Sequence, residues 1–209
     1  MDRAVEIVIG EYEERERAES KIKREIGVDE THLRRDEFLL SVGRSSAQLI
    51  NILAKAAKPK IILEVGGSYG YSTIWLAEAA SSVGAKLISL EMYPEKQRYA
   101  RNAIAKAEVQ SVVDFRLGDA RESIPALPGP FDFVLLDLWK DLYIPCFDLF
   151  YPKLSPGAFV IADNMIYPER SRDHASQYRE HVRAKPGVES ILLPVGGGLE
   201  VSRFVRGAA

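Results

Sequence analysis

Cysteine is nearly absent from this chain of 209 residues: the single Cys146 excludes any internal disulfide. An excess of positive charge is missing too. The formal charge is -2 and the pI near 6.0, so no clustered cationic surface is indicated that would replace phosphate counterions on a nucleic acid. No uninterrupted apolar run approaches bilayer length, and the opening "MDRAVEIVIGEYEERER" lacks the basic-then-apolar layout of a signal peptide. A cytoplasmic protein without nucleic-acid or membrane partners is therefore expected, working on small molecules. Repeats, low-complexity tracts and linkers are also missing, and 46% hydrophobic residues suffice for one sizeable core.

What is present falls into two styles. Residues 1 to 37 carry twelve acids and eight bases, yet Val5, Val8, Ile9 and Tyr12 recur at helical spacing, which predicts an amphipathic helix. Glu11 with Arg15, Glu13 with Arg17 and Glu19 with Lys23 are spaced as acid-before-base pairs on an exposed helix face. A solvated face is the plain reading, with a dimer surface or a flap over an active site as alternatives. From residue 60 onward, apolar runs alternate with helix-compatible stretches: "KIILEV", "KLISLE", "VVDFRL", "FDFVLLD" and "GAFVIAD". Such runs indicate strands buried on both faces, hence a mostly parallel sheet between helices. "VESILLPVG" and "LEVSRFV", joined across Gly196 to Gly198, predict a C-terminal antiparallel hairpin and bring the strands to seven.

Open parallel sheets bind ligands at the carboxyl ends of their strands, so the residues that end each run matter most. "ILEVGGSYGYST" reads as a strand, a glycine turn from Gly66 to Gly70, and a helix starting at Tyr71 with Ser72. Glycines permit close backbone approach, and the helix start offers unpaired N–H groups. The spacing differs from the dinucleotide fingerprint, and Glu64 would repel a pyrophosphate but welcome an ammonium or sulfonium. A purely structural role for the glycines is the alternative. Glu91, followed by Met92, ends the second run where a carboxylate accepts ribose hydroxyls. Asp119, before Ala120, is placed either to reach an adenine amino group or to cap the next helix.

Asp137 ends the fourth run, and Asp163 with Asn164 end the fifth. If these strands are neighbours, two carboxylates and an amide oxygen converge on one cation; with no His or Cys nearby in sequence, Mg2+ is favoured over Zn2+. A helix cap at Asp137 and a turn at "ADN" are the structural alternatives.

Taken in order, "LEVGGSYGYST", "SLEM", "LGDA", "FVLLDLWKD" and "ADN" resemble class I S-adenosylmethionine-dependent methyltransferases, and among them the small metal-dependent O-methyltransferases of the catechol and caffeoyl-CoA type. The resemblance covers about residues 40 to 165. It implies a Rossmann-like α/β fold in one domain, with an N-terminal helical region (1–57) and a cofactor-binding core (58–209). It further implies that Glu64, Gly66 and Ser72 surround the methionine part of S-adenosylmethionine. Val42 and Gly43 would lie against the cofactor, Glu91 at the ribose, and Asp119 or Ala120 near the adenine, with Gly70, Tyr71, Met92 and Asp137 also touching the cofactor. Lys140 matches the family's general base and works with Asp137; Trp139 walls the pocket or packs below the next helix. A homodimer formed through the N-terminal helices is the remaining implication.

One departure is Leu138, where catechol enzymes carry a histidine. Glu169 and Glu180 are candidates only by position for the glutamate that those enzymes set against the second hydroxyl. His174 and His181 share a helix face without a third ligand, His32 receives no role, and Cys146 reads as a small core residue. The expected activity is methyl transfer to a hydroxyl of a small phenolic or catechol-like acceptor with a divalent cation. The alternatives are a metal-independent methyltransferase with another acceptor and a non-catalytic cofactor-binding scaffold.

Overall fold

The apolar runs become strands that share one sheet. In the computed structural model, described over residues 1–205, they are β1 (Ile61–Val65), β2 (Lys86–Glu91), β3 (Val113–Leu117), β4 (Phe131–Leu136), β5 (Leu154–Ala162), β6 (Val188–Leu193) and β7 (Leu199–Phe204). The spatial order is β3-β2-β1-β4-β5-β7-β6. The first five pair in parallel, and β7 runs antiparallel between β5 and β6. Strand order reverses between β1 and β4, which opens a crevice at their carboxyl ends.

Alternation of side chains divides the core between the two faces of the sheet. Ile62, Phe133, Leu135 and Ile161 point to one face, where α1 (Arg3–Leu33), α2 (Arg44–Ala57) and α3 (Tyr71–Val83) pack. Leu63, Val134, Leu136 and Val160 point to the other, covered by α5 (Ala120–Ala126), α6 (Tyr143–Phe150) and α7 (Arg172–Arg183). The remaining helix, α4 (Pro94–Lys106), starts with proline at its first turn, where a missing N–H costs nothing. Cys146 is fully buried in α6 among aromatic rings, as expected of a small core residue, and burial pushes its thiol up to about 12. Among the described residues no helix is long and apolar enough to cross a membrane.

The N-terminal helix forms and buries Val5, Val8, Ile9 and Tyr12 as its spacing predicts. Its ion pairs differ from the expected set. Glu19 does meet Lys23, at 3.9 Å, but lies closer to Arg15, at 2.7 Å. Glu11 pairs with Lys106 of α4, and Glu13 with Arg44 of α2 at 2.6 Å. These acids act as tertiary contacts because α1 lies across other helices, and a neighbour in space outcompetes one a helical turn away. At Gly27 the helix kinks through a backbone conformation (φ 80°, ψ 175°) that glycine adopts without steric cost.

Candidate active site

The glycine turn after β1 is held from below and from the side. Gly66 and Gly67 both donate to the Leu90 carbonyl, at 3.0 and 2.9 Å, which fastens the turn to the end of β2. Glu64 lies fully buried beneath it and accepts from Ser72 (2.7 Å), Thr73 (2.7 Å) and Ser89 (2.6 Å). Burial pushes the Glu64 carboxyl up, while the three hydroxyls pull it back down. Its carboxylate thus shapes the turn from underneath. At Gly67 a Cβ would stand 2.5 Å from Ser89 Oγ, and at Gly66 (φ 99°) one would collide with the Asp137 carbonyl. The turn and β4 are therefore in backbone contact, which only glycine permits.

Glu91 accepts from the backbone N–H groups of Ser68 (2.7 Å) and Tyr93 (2.8 Å). Ser68 sits in the left-handed region (φ 46°), and its buried Oγ has no hydrogen-bond partner among the described residues. The sequence left this residue unmarked, its one signal being a polar side chain among glycines and tyrosines. Met92 is 49% exposed beside this carboxylate, at the rim of the crevice. Asp119 resolves as the N-cap of α5: it accepts from the Arg121 N–H at 2.8 Å, and the Arg121 guanidinium holds its carboxyl below the usual carboxylate range. Ala120 opens that helix.

Tyr71 and Ser72 begin α3, with Gly70 (φ 96°) before them. A Cβ on Gly70 would come within 2.7 Å of Ala100 and 3.1 Å of the Tyr12 hydroxyl. Tyr12 donates to the Tyr69 carbonyl at 2.5 Å, so α1 is bolted to the glycine turn. From the other side, residues 34–42 run over the crevice. Asp36 is held by Lys96 at 3.0 Å, and the Arg35 guanidinium stacks 4.3 Å from the Trp139 ring centre. Val42 is buried at the end of this strap, and Gly43 (φ 77°) turns it into α2.

Register places Leu136 opposite Ala162, so Asp137 and Asp163 follow at adjacent strand ends. Asp163 is 1% exposed, and among the described residues neither carboxylate oxygen has a hydrogen-bond partner of good geometry, the Asn164 N–H lying near enough only to pull the carboxyl partly back down. Burial, then the neighbouring Asp137 charge, pushes its carboxyl up to about 8. Lys140 Nζ lies 3.7 Å from Asp137 Oδ1, donates to the Leu138 carbonyl at 3.2 Å, and donates to the Tyr143 hydroxyl. Tyr143 in turn donates to the Asp163 carbonyl at 3.2 Å. Burial lowers the Lys140 ammonium, against the opposing pull of Asp137 and Asp163. Tyr143 was not singled out from sequence; it lies three residues past Lys140 and looks like any core aromatic there.

Asn164 adopts a left-handed conformation (φ 56°) and leads a loop hung on the β6–β7 turn. Met165 donates to Gly198, and Ile166 and Tyr167 to Gly197, at 2.8 to 2.9 Å. A Cβ on Gly197 would lie 2.7 Å from Asn164 Nδ2, and one on Gly196 would strike Ser46. The glycine triplet, read from sequence only as a hairpin turn, also serves as the seat of this loop. Among the described residues no three His, Cys, Asp or Glu side chains cluster as a metal centre; the third oxygen at these strand ends belongs to an amide. Glu169 is exposed and paired with Arg172 at 3.1 Å, and Glu180 lies on the exposed side of α7. His181 pairs with Asp148 at 2.8 Å, far along the chain from the strand ends.

An open sheet with its switch point at β1 and β4, a glycine turn before a helix, and a carboxylate at the end of β2 define an α/β protein built for a nucleoside-bearing cofactor. Comparison narrows this class. A family model for a methyltransferase domain matches residues 63–165. The catechol O-methyltransferase of Niastella koreensis is 35% identical over 171 residues, covering 76% of this chain and 77% of that protein. The caffeoyl-CoA O-methyltransferase of Eucalyptus gunnii is 26% identical over 80% of this chain and 75% of its own length. A Bacillus cereus O-methyltransferase solved in complex with SAH superimposes with a TM-score of 0.75 at 24% identity, over 98% of this chain and 91% of that one, which speaks to the fold. The chain belongs to the S-adenosylmethionine-dependent O-methyltransferases of the catechol and caffeoyl-CoA type.

Proposed function

We propose that this O-methyltransferase acts on a small phenolic acceptor with vicinal oxygens, and that it uses a divalent cation held by Asp137, Asp163 and Asn164. The observation that carries the reading is the Asp163 carboxylate, buried beside a second carboxylate and without a well-formed hydrogen bond among the described residues. Lys140 stands against Asp137 at 3.7 Å, one ammonium for two carboxylates, so the remaining negative charge at neutral pH favours a further cation, and an all-oxygen donor set suits Mg2+. When bound, the cation would favour the oxyanion of a phenol whose free pKa is about 10. S-adenosylmethionine supplies the electrophilic methyl group.

The chain's own residues orient and deprotonate. Lys140 Nζ, fixed by Leu138 and Tyr143, takes the acceptor's hydroxyl proton. Ser68, Gly66, Gly67, Gly70, Tyr71 and Ser72 form the cradle for the amino-acid end of the cofactor, with Glu64 setting its shape. Glu91 keeps lone pairs for the ribose, since each of its oxygens accepts a single backbone N–H. Met92 and Ala120 flank the base, Asp119 being committed to its cap and to Arg121. Val42 closes the pocket from the strap.

Calorimetry with S-adenosylmethionine and Mg2+, followed by methyl-transfer assays on catechol and caffeate, tests the proposal. Activity that survives chelator unchanged would overturn the cation's part. Turnover confined to non-phenolic acceptors would overturn the substrate class.

A further inference from the structure

A short turn after β4 brings a lysine and a tyrosine together beside the strand ends. Lys140–Leu142 forms one 3-10 turn and Tyr143 opens α6; at three residues per turn, the side chains of positions 140 and 143 stand one above the other. Lys140 Nζ accordingly lies 4.2 Å from the Tyr143 ring centre. That ring is held by packing: it is wholly buried and meets Tyr178 edge-on, at 5.4 Å between centres and 86° between planes. A long lysine stem, which carries about 2 kcal/mol of rotamer entropy, is thus set against a fixed side chain.

A phenolic hydroxyl has one proton to give and lone pairs with which to accept. The Tyr143 proton goes to the Asp163 carbonyl at 3.2 Å, the Asp137 carboxylate being the other acceptor beside it, and neither group donates in return. Toward Lys140 the hydroxyl therefore only accepts, and Nζ donates to it. The Leu138 N–H stands near the same oxygen as a second donor. Nζ gives another N–H to the Leu138 carbonyl at 3.2 Å. Two of its three positions beyond the stem are then taken, and the third has Asp137 Oδ1 as its neighbour, 3.7 Å away. An ammonium free to close on a carboxylate reaches about 2.7–2.9 Å, so the two oxygens hold this one short of that contact.

We propose that Tyr143 is a positioning residue for proton abstraction: its hydroxyl, anchored on the backbone of Asp163, turns the Lys140 lone pair toward the strand ends and so brings weakly acidic phenols within the enzyme's range. The inference rests on the reading of Lys140 as the base. In this step the acceptor's O–H bond breaks, an N–H bond forms at Nζ, and the electron pair stays on the phenolic oxygen. An amine with both N–H groups committed presents its lone pair in one direction. Tethered by Leu138 alone, it can swing that lone pair away or fold onto Asp137. Such orientation matters most where the acceptor holds its proton tightly and least where the hydroxyl is already ionised. Fully buried itself, Tyr143 acts only through Lys140.

The test compares catechol with 4-nitrocatechol, whose more acidic hydroxyl is largely ionised at neutral pH. Tyr143→Phe keeps the ring against Tyr178 and removes only the hydroxyl. At saturating Mg2+ and S-adenosylmethionine its kcat on catechol should fall about tenfold to hundredfold, with KM for catechol and calorimetric affinity for S-adenosylmethionine within about twofold of wild type. On 4-nitrocatechol the same variant should lose less than about threefold. In a Lys140→Met background, Tyr143→Phe should change kcat on catechol by less than about twofold, because nothing is left to position. Should the phenylalanine variant fail to bind S-adenosylmethionine, Tyr143→Met, an unbranched filler of the same buried space, carries the comparison. Equal losses on the two acceptors, or a loss that persists in the Lys140→Met background, would overturn the inference and leave Lys140 as the base. Unchanged turnover of catechol by Lys140→Met would instead overturn the base reading, and the inference with it.

Discussion

Replacing Asp163 with Asn should make the metal-free protein more stable while abolishing its response to a cation. The side chain is nearly isosteric, and the backbone bonds of residue 163, its N–H to Leu136 and its carbonyl from Tyr143, survive the change. What disappears is a carboxylate whose folded-state value is raised to about 8 from an ordinary 3.8. Because the folded state holds this proton more tightly than the unfolded chain, the wild type without cation loses stability as pH rises from about 4 through about 8. At pH 7 the loss amounts to about 4 kcal/mol, since each pH unit above the ordinary value costs about 1.4 kcal/mol. Urea denaturation in chelator at pH 5 and at pH 8 measures it. The wild type should weaken between the two, Asp163→Asn should weaken far less, and the variant should be the more stable protein at pH 8. Saturating Mg2+ should then restore the wild type alone. A variant less stable than wild type in chelator at pH 8, or one stabilised equally by Mg2+, would refute the assignment of Asp163 as an uncompensated cation ligand.

Other substitutions separate the parts of the site. Lys140→Met should reduce kcat by about 10² to 10⁴, with calorimetric binding of S-adenosylmethionine retained, because the residue acts on the acceptor's proton. Gly197→Ala should weaken Mg2+ binding about tenfold by displacing Asn164, whose amide nitrogen would lie 2.7 Å from the new methyl group; cofactor affinity should change far less. Tyr12→Phe removes the 2.5 Å bond to the Tyr69 carbonyl and should cost about 1 kcal/mol of stability, together with a rise in the dissociation constant for S-adenosylmethionine measured by calorimetry.

Much of this site was legible because buried parallel strands write themselves as apolar runs, and the first polar residue after each run must stand at the ligand edge. Glu91, Asp137 and Asp163 were located that way, Glu64 lying one residue inside the end of β1, and β1 to β7 follow the runs closely. What escaped depends on who lies opposite. Glu11 and Glu13 have suitable partners within their own helix, and nothing local reveals that Lys106 and Arg44 stand nearer. Asp119 satisfied two descriptions equally, and the Arg121 N–H shows the cap. Ser68 and Tyr143 carry no pattern of their own; a buried hydroxyl becomes notable only once its surroundings are known. The Gly196 to Gly198 turn was correctly read as a hairpin, but its packing on Asn164 is a contact between residues more than thirty positions apart.

The placement of β7 inside the sheet also sets an order of assembly. Its residues are made after β6, yet β6 reaches the sheet only by pairing with it. The loop that carries Asn164 has three of its N–H groups seated on Gly197 and Gly198, in the turn of the same hairpin. A nascent chain that has already built the cofactor turn at β1 would therefore hold its acceptor side open until residues 197 to 204 emerge, about two to eight seconds after Asn164 at about 5–20 residues per second. During synthesis, the half of the crevice built on the turn after β1 can close first, and the half that carries Asn164 is completed last.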